Sequence, residues 1–284
     1  GVIYNSWATL TINNSTLENN KATDGGAIYI DVGSNNDIIE NCTFEGNHLT
    51  NLTEGHNGGA IDCNASMMGL TNTLFNSNYA GEYGAALCRE ANATGGFGGY
   101  NNFTNNHADI AGAALAWLGV DGININHYIF INNTADKSGG AIYVREDSPN
   151  CKVRNSTFDN NYVTDVRNGQ GGSIDWLGDN GYIANSTFKN SFAVNGGTIY
   201  VGNESNNFTV LNSSFIASRA IGEGGSLVLY GDDVKIKNSN FTFSIALVRG
   251  GAIAAHNSNN AVIDNCLFNK SVGAGYVDES SIPY

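Results

Sequence analysis

Proline is almost absent: the 284 residues hold two, Pro149 and Pro283. Charge is scarce too, with 14% charged residues, against roughly 25% in an average soluble domain. Basic residues are scarcest, 13 Lys and Arg against 26 Asp and Glu, for a formal charge of −13. A nucleic-acid partner is excluded by that balance, because a phosphate backbone calls for clustered Lys and Arg. No apolar run is long enough to span a membrane as a helix. The five His (His48, His56, His107, His127, His256) contain no i, i+4 pair and the five Cys no Cys-x-x-Cys, so no metal ligand set and no cofactor is expected. Neither an initiator Met nor a signal peptide is present, which suggests a mature product or a segment of a longer array.

Glycine (36) and asparagine (44) fill the gap. Gly and Asn without Pro point to many tight turns rather than a disordered linker. Their arrangement is periodic. The stretch GGAIYI at 25–30 returns as GGAI at 58–61, 139–142 and 250–253, and as GGSI, GGTI, GGSL or GAAL at five further places. The aliphatic anchors are Ile3, Ile28, Ile61, Leu87, Leu115, Ile142, Ile174, Ile199, Leu227 and Ile253. Each is followed after 14 to 16 residues by an N-[CS]-T-F-like motif with its own column: Leu17, Phe44, Phe75, Phe103, Phe130, Phe158, Phe188, Phe215, Phe241 and Phe268. Ten copies at 25- to 33-residue spacing make the chain one repeat array over residues 1–284. Short runs of β-formers bounded by Gly, Asn and Asp, with no 3.6-residue apolar stripe, select strands over helices. The predicted fold is all-β: a single right-handed parallel β-helix of about ten coils, pectate-lyase-like, a rod roughly 45–50 Å long at ~4.8 Å per coil.

Each column then acquires a reason. The residue three before the anchor is Gly in all nine copies that include it, as a corner with φ > 0 or a close backbone approach requires. Nine of the thirteen Phe lie in one column and should stack as the core. Three residues later come Asn20, Asn47, Asn78, Asn106, Asn133 and Asn161, then Ser191, Ser218, Ser244 and Ser271. Stacked amides can hydrogen-bond along the coil axis, which reads as a structural ladder. Three residues before the Phe column stands a second Asn column, broken by Tyr100 and His127, also expected to face inward. Tyr143, one past its anchor, is expected outward.

The paired G-G-A-I and F-x-x-N motifs, as in GGAIYI…NCTFEGN, resemble the repeats of chlamydial polymorphic membrane proteins. They also resemble adhesin-like and sheath-type surface proteins of methanogenic archaea, rich in Asn, Gly and Thr. The resemblance implies an extracellular, cell-surface or envelope protein of structural or adhesive function. The chlamydial family's membrane-embedded barrel has no counterpart in this sequence. With a constant cross-section and no visible capping helix, head-to-tail self-association into a sheath, filament or layer is expected, with GAGYVDESSIPY (273–284) as docking segment. Glycans or another cell's surface are further candidate partners. The long loops HLTNLTEGHN and YVTDVRNGQ interrupt the same corner four coils apart and are candidate contact points.

The competing reading is a polysaccharide-binding or polysaccharide-degrading β-helix enzyme. Hydrolysis needs two carboxylates on one face. Asp232 with Asp233, Glu146 with Asp147, and Asp179 all sit where turn chemistry favours Asp regardless. Asp62 and Asp175 share a column but lie four coils apart, so no catalytic residues are assigned. Cys42 and Cys266 should face inward, Cys63 and Cys88 opposite ways, and all as free thiols. Among fifteen N-x-[ST] sequons, Asn51, Asn64, Asn92, Asn102, Asn203 and Asn240 are the glycosylation candidates, with those of the Asn columns expected inward and unmodified.

Overall fold

A three-residue strand with one or two inward side chains cannot bury a core by itself. It must stack on its equivalents. In a computed structural model, which describes residues 1–50, 55–91, 93 and 98–274, that stacking is complete: every strand pairs in parallel with its counterpart one coil away, and no described residue is helical. Three walls are ten-stranded sheets. The first runs from Ile3–Asn5 to Ile253–Ala255 and carries the anchors; the second, from Thr16–Glu18 to Leu267–Asn269, carries the Phe column; the third is built of two-residue strands from Lys21–Ala22 to Val272–Gly273. A fourth wall is split into a three-stranded sheet (Thr11–Asn13 to Ser66–Thr71) and a six-stranded sheet (Asn124–Asn126 to Val262–Asp264). The chain is thus a parallel β-solenoid of about ten turns. The segment 273–284 falls mostly outside the described residues.

Register is unbroken along the Phe column: Leu17 pairs with Phe44, Phe44 with Phe75, and so on to Phe241 with Phe268. Consecutive rings stack at 4.5 to 5.2 Å, the spacing of the strands themselves. The rings from Phe44 to Phe241 have no exposed surface. Anchors fill the opposite wall, and Trp117, Trp176 and Phe208 add an edge-to-face cluster that the repeat pattern does not announce.

The corner glycines behave as the sequence requires. All nine have φ between 51° and 69°. At Gly139 an added Cβ would lie 2.3 Å from the carbonyl oxygen of its own anchor, Ile142, so both the dihedral and the space exclude a side chain. Opposite this corner the third wall contributes a column of small residues, among them Ala80, Ala108, Ala135, Ala193, Ala220 and Ala246, all buried. Small faces small, so the backbones close the coil.

The amide ladder is continuous from Asn20 to Asn161. Each Nδ2 donates to the Oδ1 of the next rung, at 2.9 to 3.0 Å, and the same Oδ1 accepts the backbone N–H of the rung before it. From the second rung on, Nδ2 also reaches the carbonyl of the Phe-column residue in the previous coil, as Asn133 does with Phe103. These amides are buried from Asn47 to Asn161 and every polar atom has a partner, which makes burial tolerable.

The change from Asn to Ser at Ser191 follows from reach. In this column a serine hydroxyl is too short to reach the side chain of the next rung, so it pairs inside its own coil across the corner: Ser191 with Ser173 at 2.8 Å, Ser218 with Thr198 at 2.6 Å, Ser244 with Ser226 at 2.7 Å. In the coils with an Asn rung from Asn47 on, that corner position is alanine (Ala27, Ala60, Ala86, Ala114, Ala141). The exception confirms the rule: Ser271 faces Ala252, and its buried hydroxyl has no partner.

One expectation is overturned. The Asn column before the Phe strand is exposed rather than inward, at Asn14, Asn41, Asn72, Asn155, Asn185, Asn212, Asn238 and Asn265. These residues have φ near 50°, and a left-handed corner flips the strand parity that an extended chain would keep. The next residue points inward instead. There Ser156, Ser186, Ser213 and Ser239 form a second ladder, each hydroxyl accepting the previous coil's backbone N–H.

Two stability measurements follow. Phe158→Ala should cost about 3–5 kcal/mol in chemical denaturation, the range for a buried aromatic. Ser226→Ala should cost about 1–3 kcal/mol because it orphans Ser244, whereas Ala252→Ser should gain up to about 1 kcal/mol by giving Ser271 its missing partner. Equal effects of the two hydroxyl changes would contradict the pairing rule.

Candidate functional surface

In a sheet with one solvated face, the residue after each anchor should be wet. In the first sheet most of them are not, Tyr4 at the end being exposed. Asp62, Cys88, Ala116, Asp175, Val228 and Ala254 all occupy this outward column and all are buried. Tyr143 points outward as expected but is half-buried, its ring stacked on Tyr83 at 5.5 Å over Cys88, Ala116 and Leu118. The segment before each corner forms a further ladder of parallel bridges, Tyr83–Ala111–Ser138–Gln170, beside this face.

Two carboxylates are trapped there. Asp175 pairs in register with Tyr143 and Tyr200. Burial raises its carboxyl to about 7, slightly offset by the Ser138 hydroxyl. Asp62 pairs with Tyr29 and Cys88. Burial first, then the negative charges of Glu90 and Asp24, push its carboxyl well above the usual range. Burial and the neighbouring acids likewise lift Tyr29 to about 12. Both aspartates have an Oδ1 with no hydrogen-bond partner. They are the most perturbed acids of the described chain, and three strands of one sheet stand between them.

Four of the acids singled out at the turns have hydrogen-bond partners. Asp147 is clasped by Arg145 at 2.8 and 2.6 Å. Asp179 accepts the Asn206 N–H at 2.7 Å, Asp232 the Asn259 N–H at 2.7 Å, and Asp233 the Asn260 amide at 3.2 Å. His107, Asp109 and Asp136 converge on the third wall, half-exposed, with Tyr79 on Asp109 and Thr164 on Asp136. The sequence pattern missed this grouping and the Asp62 cluster, because each assembles residues from adjacent coils.

Of the sequons, Asn102, Asn203 and Asn240 are exposed and Asn64 is half-buried; Asn51 and Asn92 lie outside the described residues. The exposed corner column adds Asn14, Asn41, Asn155, Asn185 and Asn212 as accessible sequons. Where that column is broken, Tyr100 stands 66% exposed with His127 at 5.1 Å from its ring. An open groove of about 400 Å³ runs beside it, lined by Asn41, Asn72, Tyr100 and Asn102 among others. The five cysteines are free; Cys63 lies in the interior core and Cys88 on the outer face.

The Chlamydia polymorphic membrane protein repeat matches residues 14–31 and 128–145. Each segment carries a second-wall strand, a third-wall strand and the following corner strand, so the likeness covers a structural unit in two of the coils. No curated protein and no solved structure matches the chain. The molecule is a parallel β-solenoid with two repeats similar to those of this chlamydial family.

The buried aspartates predict a pH response. Asp175 has a folded pKa of about 7, against ~3.9 when unfolded. Its contribution is therefore fully present below about pH 4 and is lost as pH rises through about 7. Asp175→Asn should raise the denaturant midpoint more at pH 8 than at pH 5; an equal effect at both would show that Asp175 does not titrate in this window.

Proposed function

We propose that this solenoid is an extracellular surface protein, structural or adhesive. The observation that carries the reading is the constant cross-section joined to repeats of a surface-protein type. Anchor, Phe and corner-Gly columns keep one register over the described coils, and two coils match the chlamydial repeat. A rod whose coils keep one register suits a stalk or wall component. Its charge of −13 and its exposed amide rows suit an aqueous exterior. Glycans on the exposed sequons fit the same setting.

Two finer readings belong to this proposal. The first is self-assembly into a filament, sheath or surface layer. Because the coils share one cross-section, a coil of one copy can continue the Phe and amide columns of another, a head-to-tail contact that extends without closing. The second is adhesion to a glycan at the Tyr100 groove. An exposed ring offers an apolar face to sugar C–H groups, and Asn41, Asn72 and Asn102 offer amides to hydroxyls. The molecule is read as non-enzymatic, since Asp147, Asp179, Asp232 and Asp233 are engaged by Arg145 or by groups of the next coil.

The deciding experiment combines labelling and imaging of the full-length protein. Antibodies to the solenoid should label intact, unpermeabilised cells, and electron microscopy of purified protein should show rods joined end to end. Labelling only after lysis would defeat the surface reading, and single rods at high concentration would defeat assembly while leaving adhesion. Tyr100→Ala should then reduce binding on a glycan array at least tenfold with the fold intact.

A further inference from the structure

Sheet register gathers three donor atoms at one point of the buried outer face. Asp62 stands opposite Cys88 on the neighbouring strand, and Glu90, two residues further along, shares the parity of Cys88. A carboxylate oxygen of Asp62, Sγ of Cys88 and a carboxylate oxygen of Glu90 all lie within 4.8 Å of one another. Around a tetrahedral ion with bonds of ~2.0–2.3 Å such atoms would sit roughly 3–3.7 Å apart, so closure needs only small side-chain rotations.

Two unsatisfied oxygens point to what is bound. Asp62 is 3% exposed, yet its Oδ1 has no hydrogen-bond partner. Asn57, 6% exposed, donates Nδ2 to Glu90 Oε1 at 2.9 Å and leaves its own Oδ1 without one. Buried acceptors without donors are costly in a finished fold. Asp24, held by His56 at 2.7 Å, adds further negative charge close enough to raise the Asp62 carboxyl. What such a place accepts is a cation.

We propose that Asp62, Cys88 and Glu90 form a site for a divalent cation of the zinc class, in departure from the expectation that the chain has no metal ligands. The thiolate selects zinc or cobalt over calcium and magnesium, which prefer oxygen alone. Asn57 is the positioning residue that fixes Glu90. A water in the fourth position would supply the donor that Asn57 Oδ1 lacks. The site ties the strand Ile61–Cys63 to Leu87–Glu90 and to the loop that carries Asn57. Binding displaces the Cys88 thiol proton and any proton on Asp62, both held more tightly by burial, so affinity rises with pH. The His107–Asp109–Asp136 group differs: it has no sulfur, and its acids already accept hydroxyl donors.

The test is titration of the metal-free full chain with Co²⁺, reading the thiolate-to-cobalt charge-transfer absorption, followed by Zn²⁺ competition against a chromogenic chelator. One equivalent should bind with the sulfur band, more tightly at pH 8 than at pH 6, and should raise the melting temperature. Cys88→Ser should abolish the band, and Asp62→Asn should weaken binding at least tenfold. Asp62→Asn keeps the shape and removes a buried charge, so its unliganded fold should be no less stable than the wild type, which separates lost binding from unfolding. Asp175→Asn, in the same column four strands away, should bind like the wild type. Absence of the charge-transfer band at saturating Co²⁺ overturns the proposal. So does wild-type affinity in both site variants, or binding that is abolished only by His107→Ala.

Discussion

Everything in this molecule depends on the strand spacing. In a parallel solenoid each residue lies one hydrogen-bond spacing, ~4.8 Å, from its counterpart in the next coil. A side chain must therefore tolerate a copy of itself, or a close relative, directly above and below. Phenylalanine meets this by offset stacking, asparagine by donating to one neighbour and accepting from the other, glycine by leaving room for a backbone corner. A charge would meet its like at that distance with no water between. Hence the poverty in charged residues: 14% charged is what an interior and a set of corners built this way can hold.

The same constraint explains the rung that changes type. In this column asparagine passes hydrogen bonds from side chain to side chain along the axis, whereas serine pairs within its own coil. After Asn161 the chain moves from bonds between coils to bonds within coils, and a hydroxyl at the corner appears together with each serine from Ser191 to Ser244. Two residues 18 or 20 apart in sequence are thereby coupled. Neither the core nor the corner can be altered alone in that half of the rod.

Function, where the structure suggests it, lies in departures from self-similarity. Tyr100 and His127 interrupt an asparagine row and open an aromatic groove. Asp62 and Cys88 interrupt a column that elsewhere carries mostly tyrosine or alanine, and Glu90 joins them from two residues further along the Cys88 strand. On a uniform rod, a residue that does not resemble its counterparts has lost the stacking partner that would explain it. The outer face of the first sheet collects such residues because tyrosines and the segments before the corners exclude water from it, which raises the pKa of whatever acid is held there.

The sequence by itself determined the repeat, the strand type, the corner glycines and the identity of the core columns. Each is a consequence of local stereochemistry or of a residue stacked on its own kind, and both are visible in a one-dimensional pattern. It misjudged the asparagines before the Phe strand, because their left-handed backbone reverses parity and no alternation rule contains that reversal. Only the tertiary structure decided that the outward face of the first sheet is dry, that Ser191 pairs with Ser173, and that Asp62 meets Cys88 and Glu90. Those contacts join different coils, or opposite walls of one coil. Their distances are set by how the coil closes, which no spacing along the chain records.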